Sequence, residues 1–403
     1  MAKKYNFDEI INREGTHCVK YDLRKDYFGN ANVIPMWVAD MDFRTPDFVM
    51  EAIRKRAQHE ILGYTIHPPS FFQSIIDWNL RRHQWQIKKE WIAFSPGVVP
   101  AINMLIMALS DPGDKIIIQP PVYHPFFHAI TNHNREIVKN PLVLKNGRFC
   151  MDLDDLKNKI DKKTKLLILC SPHNPGGSVW KKAELKALGD ICKKHNITII
   201  SDEIHADLTL FENKHIPLAS ISDELAEITI TTMAPSKTFN LAGLGTSYVV
   251  ASNPRLLRRY NKVLDQVHVG MGNIFGTVAL EAAYTHGDNW LAELLEYVQN
   301  NIIYMQEFVK TLMPMLDVIV PEATYLVMID FRKLSLSAKE LEKLLIVNAG
   351  VGMNEGTSFG IQGKGFQRMN VACPRSVLKQ ALVNLEMTVR EIGWYRNVVN
   401  KKQ

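Results

Sequence analysis

The chain has 403 residues, of which 46% are hydrophobic and 22% charged, and its formal net charge is +6. This composition is typical of a globular protein, and the length predicts two domains. The basic residues form short pairs separated by acidic residues, which indicates solvated helix faces and argues against a nucleic-acid-binding surface.

The sequence also argues against export, membrane insertion and metal binding. Residues 1–6 lack the apolar core of a signal peptide, and the apolar stretch 98–109 is too short to span a membrane. The five cysteines are scattered without a Cys-x-x-Cys pair, which predicts neither a disulfide framework nor a zinc site. His124 and His128 could share a helix face, but no third ligand stands at metal spacing. We therefore expect a cytoplasmic protein with no metal and with neither a membrane nor a nucleic acid as partner.

Short apolar runs alternate with amphipathic segments through most of the chain. The first forty or so residues are predicted to be extended and irregular. Strands are predicted at 90–95, 115–119, 135–139, 166–170, 198–201, 228–232 and 247–251. Helices are predicted at 47–60, 97–109, 123–133 and 181–194. This alternation predicts an α/β fold in which a mainly parallel sheet has helices on both faces.

The pattern changes near Gly287. Beyond it we predict a long helix at 290–313, strands near 318, at 325–331 and at 367–372, and helices after Ser337 and Pro374. This arrangement predicts a smaller α+β domain. We therefore expect a large domain of residues 46–287 and a small C-terminal domain of residues 288–403. Residues 1–45 are expected to form an N-terminal segment that packs on the small domain and on the active site.

Several candidate ligand-binding residues directly follow predicted strands, where parallel α/β sheets bind their ligands. Gly97 and Val98 open a helix, and the free N–H groups of a helix N-terminus suit a phosphate, although any strand-to-helix turn can look this way. Tyr123 could be a core residue or could lie flat on an aromatic ligand. Asn174 belongs to an Asn-Pro-Gly-Gly turn, and its amide could donate to a phenolate oxygen.

Charged residues follow two further strands, and another lies near the C-terminus. Asp202 and Glu203 end a buried strand, and an ionised Asp202 could keep a pyridine nitrogen protonated while Glu203 points the opposite way. Lys237 is either an ordinary loop lysine or a desolvated amine whose lowered pKa allows a Schiff base with an aldehyde. Arg368 carries a fork-shaped guanidinium that could bind a carboxylate through two hydrogen bonds.

Taken together, these residues specify one ligand, although most of them singly have an equally good structural explanation. They suit a phosphate, an aromatic ring, a phenolate, a pyridine nitrogen and an aldehyde, which are the parts of pyridoxal 5′-phosphate. The remaining arginine suits the carboxylate of an amino acid. The sequence has no intact Gly-x-Gly-x-x-Gly opening a helix, no Walker A loop, no Gly-x-Ser-x-Gly and no His-Glu-x-x-His. We therefore predict pyridoxal 5′-phosphate as the cofactor and an amino acid, as a small-molecule substrate.

Four sequence blocks carry a resemblance to a known family. They are Met-Trp-Val-Ala-Asp-Met-Asp-Phe at 36–43, Asp-Glu-Ile-His-Ala-Asp-Leu at 202–208, Pro-Ser-Lys-Thr-Phe-Asn at 235–240 and Arg-Met-Asn-Val-Ala-Cys-Pro-Arg at 368–375. With these blocks the chain resembles the fold-type I pyridoxal-phosphate enzymes, and most closely the MalY/PatB-type cystathionine β-lyases (cysteine-S-conjugate β-lyases). The resemblance implies the aminotransferase-like fold, with a mainly parallel seven-stranded sheet between helices in the cofactor-binding large domain.

The resemblance also implies a role for each candidate residue. Lys237 would be the Schiff-base lysine and Asp202 the partner of the pyridine nitrogen, with Tyr123 stacked on the ring as a third catalytic residue. Further cofactor contacts are implied for Asn174, Gly97, Val98, Ser236, His205 and Tyr64. Substrate contacts are implied for Arg368, Ala39 and Asn174. Tyr64 would reach the phosphate of a neighbouring subunit, so a homodimer with a shared active site is expected.

Two positions depart from the wider aminotransferase pattern. Gly245 stands where many relatives have a phosphate-binding arginine, eight residues after the lysine. His205 stands where many have a tyrosine, three residues after the pyridine aspartate. Both departures agree with the lyase branch, and the first implies that the phosphate relies on backbone amides, Ser236 and the partner's tyrosine.

The resemblance implies an α,β-elimination that splits L-cystathionine or a related L-cysteine S-conjugate into a thiol, pyruvate and ammonia. An alternative is a pyridoxal-phosphate-dependent aminotransferase of class I/II, which would use the same lysine. A third possibility is a regulatory or binding protein that has kept the fold and lost the chemistry. The intact residues Lys237, Asp202, Asn174 and Arg368 argue against that third possibility.

Overall fold

The computed structural model describes residues 5–400, with side chains through residue 391. The chain divides into two compact units. The larger unit consists of residues 45–292 and 322–324, and the smaller unit consists of residues 5–44, 293–321 and 325–400. No helix in the described part of the chain combines the length and apolar character needed to cross a bilayer.

Strands and helices are numbered in chain order. The strands are β1 (Ile34–Pro35), β2 (Ile92–Ser95), β3 (Lys115–Ile118), β4 (Glu136–Lys139), β5 (Val143–Lys145), β6 (Arg148–Cys150), β7 (Thr164–Cys170), β8 (Thr198–Asp202), β9 (Thr229–Met233), β10 (Ser247–Val250), β11 (Asp317–Ile319), β12 (Leu326–Asp330), β13 (Val351–Gly352), β14 (Asn354–Glu355) and β15 (Phe366–Asn370). The helices are α1 (Val19–Asp22), α2 (Arg24–Phe28), α3 (Asp47–Ala57), α4 (Pro69–His83), α5 (Val98–Leu109), α6 (Pro125–Thr131), α7 (Leu153–Lys159), α8 (Lys182–Lys194), α9 (Asp223–Ile228), α10 (Pro254–Gln266), α11 (Ile274–His286), α12 (Asp288–Leu312), α13 (Ala338–Glu342) and α14 (Arg375–Asn400). Single 3₁₀ turns lie at Lys89–Trp91, Leu218–Ser220, Ala242–Leu244, Arg332–Leu334, Gly356–Phe359 and Ile361–Gly363, and a π-helical turn lies at Lys343–Asn348.

The larger unit is built on a seven-stranded sheet with the order β2-β10-β9-β8-β7-β3-β4. Neighbouring strands are parallel except for β10, which runs antiparallel to both β2 and β9. The prediction of a mainly parallel seven-stranded sheet is therefore confirmed. Because six of the strands run the same way, their carboxyl ends meet at one edge of the sheet, and β10 begins at that edge.

Helices cover both faces of this sheet because its central strands are apolar on both sides. Side chains such as Ile168 and Ile200 pack into one buried cluster with α5, α6 and α10. The alternate residues, such as Leu167 and Ile199, point to the opposite face, where α8 packs against β8. The strands are thus buried on both faces, as expected for a parallel sheet.

The smaller unit contains an antiparallel sheet with the order β11-β12-β15-β14. A separate parallel pair joins β1 to β13. Arg368 lies in the middle of β15, opposite Met328 on one neighbouring strand and Asn354 on the other. The sheet therefore places this arginine at a rigid central position.

Some predicted elements differ from those observed. Ile228 ends α9, so the strand begins one residue later than predicted, and the helix predicted at 123–133 covers only Pro125–Thr131. Two short helices, α1 and α2, lie in the segment that was predicted to be irregular. Helices α4, α10 and α11 and the β5–β6 hairpin were not predicted, although Asn146 and Gly147 are typical hairpin-turn residues with positive φ.

Candidate active site

The sheet edge of the larger unit brings together the segments that were predicted to bind the cofactor. Across the sheet, the residues that follow or end the strands are Gly97 and Val98 after β2, Ser236 and Lys237 after β9, Asp202 on β8, Asn174 after β7 and Tyr123 after β3. The register places Asp202 between Cys170 and Thr232 on the neighbouring strands. Seven candidate residues of the larger unit therefore share one edge, where open α/β sheets bind ligands.

The turn after β2 offers backbone N–H groups to an anion. Helix α5 begins at Val98, and no side chain caps its N-terminus at Gly97. The first N–H groups of a helix have no intrahelical partner and carry partial positive charge. This turn is therefore able to accept a phosphate group.

Gly245 approaches the same turn. Its φ is +54°, and a Cβ at this position would lie 3.2 Å from the carbonyl oxygen of Pro96. A left-handed backbone and a close approach both favour glycine. The local backbone thus favours glycine at this position.

Lys237 lies in a tight turn that begins after β9. The Phe239 N–H donates to the carbonyl oxygen of Pro235 at 2.9 Å, and the Leu241 N–H donates to that of Ser236 at 3.0 Å. Lys237 is half-buried, whereas Phe239 is fully buried. The turn therefore anchors its aromatic residue in the core and leaves the lysine at the accessible edge.

Asp202 is a buried carboxylate with an altered acidity. Burial raises the pKa of Asp202 to about 7; the Ile204 N–H and the charge of Lys237 act in the opposite direction, and the charge of Glu203 adds to the rise. The Ile204 N–H donates to Asp202 Oδ1 at 3.2 Å. The carboxylate is thus placed where a cation beside it would stabilise its ionised form.

Glu203 has a different environment from its neighbour. It accepts hydrogen bonds from the Ser201 hydroxyl at 2.8 Å, from the Leu218 N–H at 3.1 Å and from His215 Nε2 at 2.7 Å. The bond to Ser201, two residues back along the strand, places Glu203 on the face opposite Asp202. The predicted opposite orientation is confirmed.

The remaining cofactor candidates of this unit lie in two loops. Asn174 is buried, and its backbone N–H donates to Cys170 Sγ at 3.3 Å. Tyr123 is half-buried, with its ring edge-on to Phe126 at 5.9 Å. His205 is buried in the turn that follows β8. All three residues therefore lie in loops beside the strand ends.

The two substrate-binding candidates, Arg368 and Ala39, belong to the smaller unit. Arg368 is buried, and its Nη2 donates to the carbonyl oxygen of Trp37 at 2.9 Å and to Asn354 Oδ1 at 2.6 Å. Its guanidinium lies 4.8 Å from the centre of the Phe359 ring. These contacts fix the orientation of the planar guanidinium, whose fork shape matches a carboxylate.

Ala39 is held through the backbone around it. The Tyr325 hydroxyl donates to the carbonyl oxygen of Ala39 at 3.0 Å. The Asn370 side-chain amide donates to the carbonyl oxygens of Val38 and Asp40, both at 2.6 Å. The carbonyl groups of three consecutive residues are thus held by Asn370, which lies on β15, and by Tyr325, which directly precedes β12.

A buried charge cluster supports the same segment, and sequence reasoning missed it. Lys20 is completely buried and lies 2.7 Å from Asp42, while Arg13 forms ion pairs at 2.7 Å with both Asp40 and Asp42. Nothing in the sequence marked Lys20 as different from the surface lysines. Asn354, which holds Arg368, was also missed because it lies in a strand of only two residues.

Tyr64 is the most exposed of the candidate residues. Its relative accessibility is 98% in the single chain, and Ile61, Leu62 and Ile66 beside it are 61–77% exposed. Four large apolar or aromatic side chains within six residues form an exposed patch, here called the 61–66 patch. Patches of this kind often mark interaction sites.

Comparisons with known proteins agree with this architecture. The model of the family "Aminotransferase class I and II" matches residues 31–385. The chain is 41% identical to the cystathionine β-lyase PatB of Bacillus subtilis over 378 residues, covering 94% of this chain and 98% of PatB. It is 31% identical to the protein MalY of Escherichia coli, covering 96% and 100% of the two chains.

Solved structures give the same result. The PLP-bound C–S lyase from Staphylococcus hominis superposes with a TM-score of 0.89 at 36% identity, and the match covers 96% of this chain and 99% of that one. The resemblance drawn from the four sequence blocks is therefore confirmed. The chain belongs to the aminotransferase class I and II family, in the branch that contains the cystathionine β-lyase PatB and MalY.

Proposed function

We propose that this chain is a pyridoxal-phosphate-dependent carbon–sulfur β-lyase. It splits L-cystathionine or a related L-cysteine S-conjugate into a thiol, pyruvate and ammonia. The observation that carries the proposal is that Lys237 and the buried Asp202 both lie at the carboxyl edge of the sheet, where the charge of Lys237 opposes the rise in the pKa of Asp202. The names of the relatives PatB and the S. hominis lyase support the choice of reaction.

The residues at this edge fit the cofactor. Asp202 is buried where the protonated nitrogen of a pyridine ring would stabilise its charge. The uncapped N-terminus of α5 suits the phosphate, together with the backbone of Gly97 and Val98 and the hydroxyl of Ser236. Asn174 would donate to the ring oxygen. Tyr123 would stack on the ring and His205 would lie beside it.

The chain's own residues then divide the catalytic work. The Lys237 amine would hold the cofactor at its aldehyde carbon and, once the substrate amine has taken its place, would remove the proton from the substrate α-carbon. Asp202 would keep the ring nitrogen protonated. When bound, the cofactor supplies an electron sink for the charge left at the α-carbon, which allows the thiolate to leave from the β-carbon.

Arg368 and Ala39 are the residues proposed to contact the substrate. Arg368 would bind the α-carboxylate with two charge-assisted hydrogen bonds, while Trp37 and Asn354 fix its orientation. Ala39 would contact the substrate through the backbone segment held by Tyr325 and Asn370. The position of a carboxylate is therefore set by a guanidinium that cannot swing freely.

We also propose that two copies of the chain form a dimer in which Tyr64 contacts the phosphate in the neighbouring subunit. The exposed 61–66 patch supports this assembly, because a dimer would bury it. Mixing a Lys237→Ala chain with a Tyr64→Ala chain under subunit exchange tests the idea. Hybrid dimers should regain one complete site each, whereas no gain in activity would show that Tyr64 acts in its own subunit or not at all.

Incubation with L-cystathionine tests the reaction. Pyruvate, ammonia and homocysteine should appear in equal amounts, and Lys237→Ala should abolish their release because it removes the base. Pyruvate release at a near-normal rate by Lys237→Ala would refute the assigned role. Transfer of the amino group to an added keto acid, without pyruvate, would favour the aminotransferase alternative.

A further inference from the structure

A buried polar array lies beside Asp202 and Lys237. It contains two carboxylates and two imidazoles, arranged as the pairs Glu203–His215 and Asp207–His83. The His215 Nε2 to Glu203 Oε2 distance is 2.7 Å, and the His83 Nε2 to Asp207 Oδ1 distance is 3.0 Å. The two imidazole rings are 5.5 Å apart and nearly perpendicular. The pairs are therefore neighbours in one array.

Almost none of this array reaches solvent. The four side chains are between 0% and 5% exposed. Burying charged groups costs free energy unless each is paired and hydrogen-bonded, and well-packed apolar side chains often serve stability equally well. A contribution to stability is therefore a poor explanation for a buried array of this size. The residues that contact the array indicate a second role.

Asp207 also accepts hydrogen bonds from two residues outside the array. Trp78 Nε1 donates to both of its carboxylate oxygens, at 3.1 and 3.2 Å, and the Thr238 hydroxyl donates to Oδ2 at 2.8 Å. Burial by itself would raise the pKa of Asp207, but His83, the nearby charge of Arg82 and the Thr238 hydroxyl together lower it below its usual value. Asp207 is thus a fixed acceptor in a rigid position.

Thr238 connects this acceptor to the lysine. It is completely buried and directly follows Lys237 in the chain. A residue whose hydroxyl is held by a rigid carboxylate fixes its own backbone and that of its neighbour. The bond between Thr238 and Asp207 is therefore one of the contacts that hold the turn from which the Lys237 side chain leaves.

We infer that Asp207, held by His83 and Trp78, is a positioning residue that aims the Lys237 amine through the hydroxyl of Thr238. The inference rests on the proposed function, because it concerns the lysine that would hold the cofactor. A purely structural role for the same bond would change stability without changing the rate at which the lysine reacts.

Thr238→Val tests the inference, because valine keeps the shape of threonine and removes only the hydroxyl donor. Thr238→Ser keeps the donor. Thr231→Val is a matched control, since the Thr231 hydroxyl is also buried and has no hydrogen-bond partner in the described part of the chain. Each variant is prepared without cofactor, and the growth of visible absorbance is followed after pyridoxal 5′-phosphate is added. The unfolding midpoint of each cofactor-free variant is measured in parallel.

We expect Thr238→Val to slow the absorbance change and to lower kcat by about tenfold to a hundredfold, as for other small misplacements of reacting groups, with little change in KM. Thr238→Ser and Thr231→Val should behave like the parent protein. The inference is overturned if Thr238→Val reacts with the cofactor at the parent rate. It is also overturned if Thr238→Ser lowers the rate of the absorbance change and kcat as much as Thr238→Val does. The same holds if the decrease in rate among the variants merely parallels the decrease in their unfolding midpoints. Failure of the parent protein to take up the cofactor would refute the proposed function itself.

Discussion

Asp202 and Glu203 are consecutive in the chain, yet their carboxylates lie on opposite sides of the strand end and have different electrostatic partners. Glu203 is satisfied by a hydroxyl, a backbone N–H and an imidazole. The pKa of Asp202 is raised by burial to about 7, and the largest opposing contribution is a single backbone N–H. The Glu203 carboxylate is thus part of the permanent structure, whereas the Asp202 carboxylate is suited to a cationic ligand.

The raised pKa predicts a pH dependence of stability for the cofactor-free protein. Between about pH 4 and pH 7, the native state keeps a proton on Asp202 that the unfolded chain has already released. Because the native state binds more protons, its free energy of unfolding should fall as the pH rises through this window, by at most about 1.4 kcal/mol per pH unit. Urea unfolding at a series of pH values measures this slope.

Asp202→Asn is the control for that slope. Because an amide does not titrate, the free energy of unfolding of the variant should fall less steeply with pH. The stability of the variant relative to the parent protein should therefore be greatest at pH 7 and above. Identical slopes for the two proteins would mean that Asp202 does not carry the dependence. The same variant should lose activity by about a hundredfold or more, because an amide cannot hold the positive charge of a ring nitrogen.

Gly245 provides a prediction about the anion-binding turn. Gly245→Ala would place a Cβ at φ +54° and 3.2 Å from the carbonyl oxygen of Pro96. We expect a loss of about 1–3 kcal/mol in stability and weaker cofactor binding, because the strain can be relieved only by moving the turn. Gly243→Ala is the matched control, since an added Cβ there meets nothing within 4 Å. Equal cofactor affinity for the two variants would contradict the proposed role of the turn.

The sequence allowed much of the sheet edge to be predicted, because the pattern of the strands is local. Short apolar runs set β2, β3, β7, β8 and β9, and the order of a parallel sheet brings their carboxyl ends together. Residues at the ends of these strands, such as Asp202 and Lys237, could therefore be placed on one edge from the sequence. Arg368 could be singled out only by its type and by the family resemblance.

The residues that support the site could not be predicted, because their contacts join positions that are far apart in the sequence. Lys20 meets Asp42 across 22 positions, and His83 meets Asp207 across 124 positions. No local pattern distinguishes such residues from solvent-exposed lysines and histidines. Helix α11 was missed because it is apolar on most sides and lacks the amphipathic repeat that marks a surface helix.

The burial of Lys20 beside Asp42 predicts that replacing Lys20 lowers the free energy of unfolding considerably. Lys20→Met keeps most of the volume and leaves Asp42 buried beside Arg13 alone. Removing one partner of a buried ion pair typically costs about 3–5 kcal/mol. Urea unfolding should show this loss, whereas Lys186→Met, which breaks an exposed pair with Asp190, should cost about 0.5 kcal/mol or less. Similar losses for both variants would show that the cluster around Asp42 adds nothing to stability.

Arg368 gives the sharpest prediction about the substrate. Arg368→Lys keeps the positive charge but removes the planar fork and the fixed contacts to Trp37 and Asn354. Losing a charge-assisted hydrogen bond of about 1.5–3 kcal/mol should lower kcat/KM for L-cystathionine by about tenfold to a hundredfold. Cofactor binding should stay unchanged, because the residues proposed to hold the cofactor belong to the larger unit.

Arg332→Lys is the control for this substitution. Arg332 follows the neighbouring strand β12, is exposed and forms an ion pair with Asp330 at 2.6 Å. Steady-state kinetics on both variants, with cofactor absorbance recorded beside them, should show a loss of kcat/KM only for Arg368→Lys. A normal kcat/KM for that variant would mean that another group binds the substrate carboxylate. A loss of cofactor absorbance would instead place the arginine in the cofactor site.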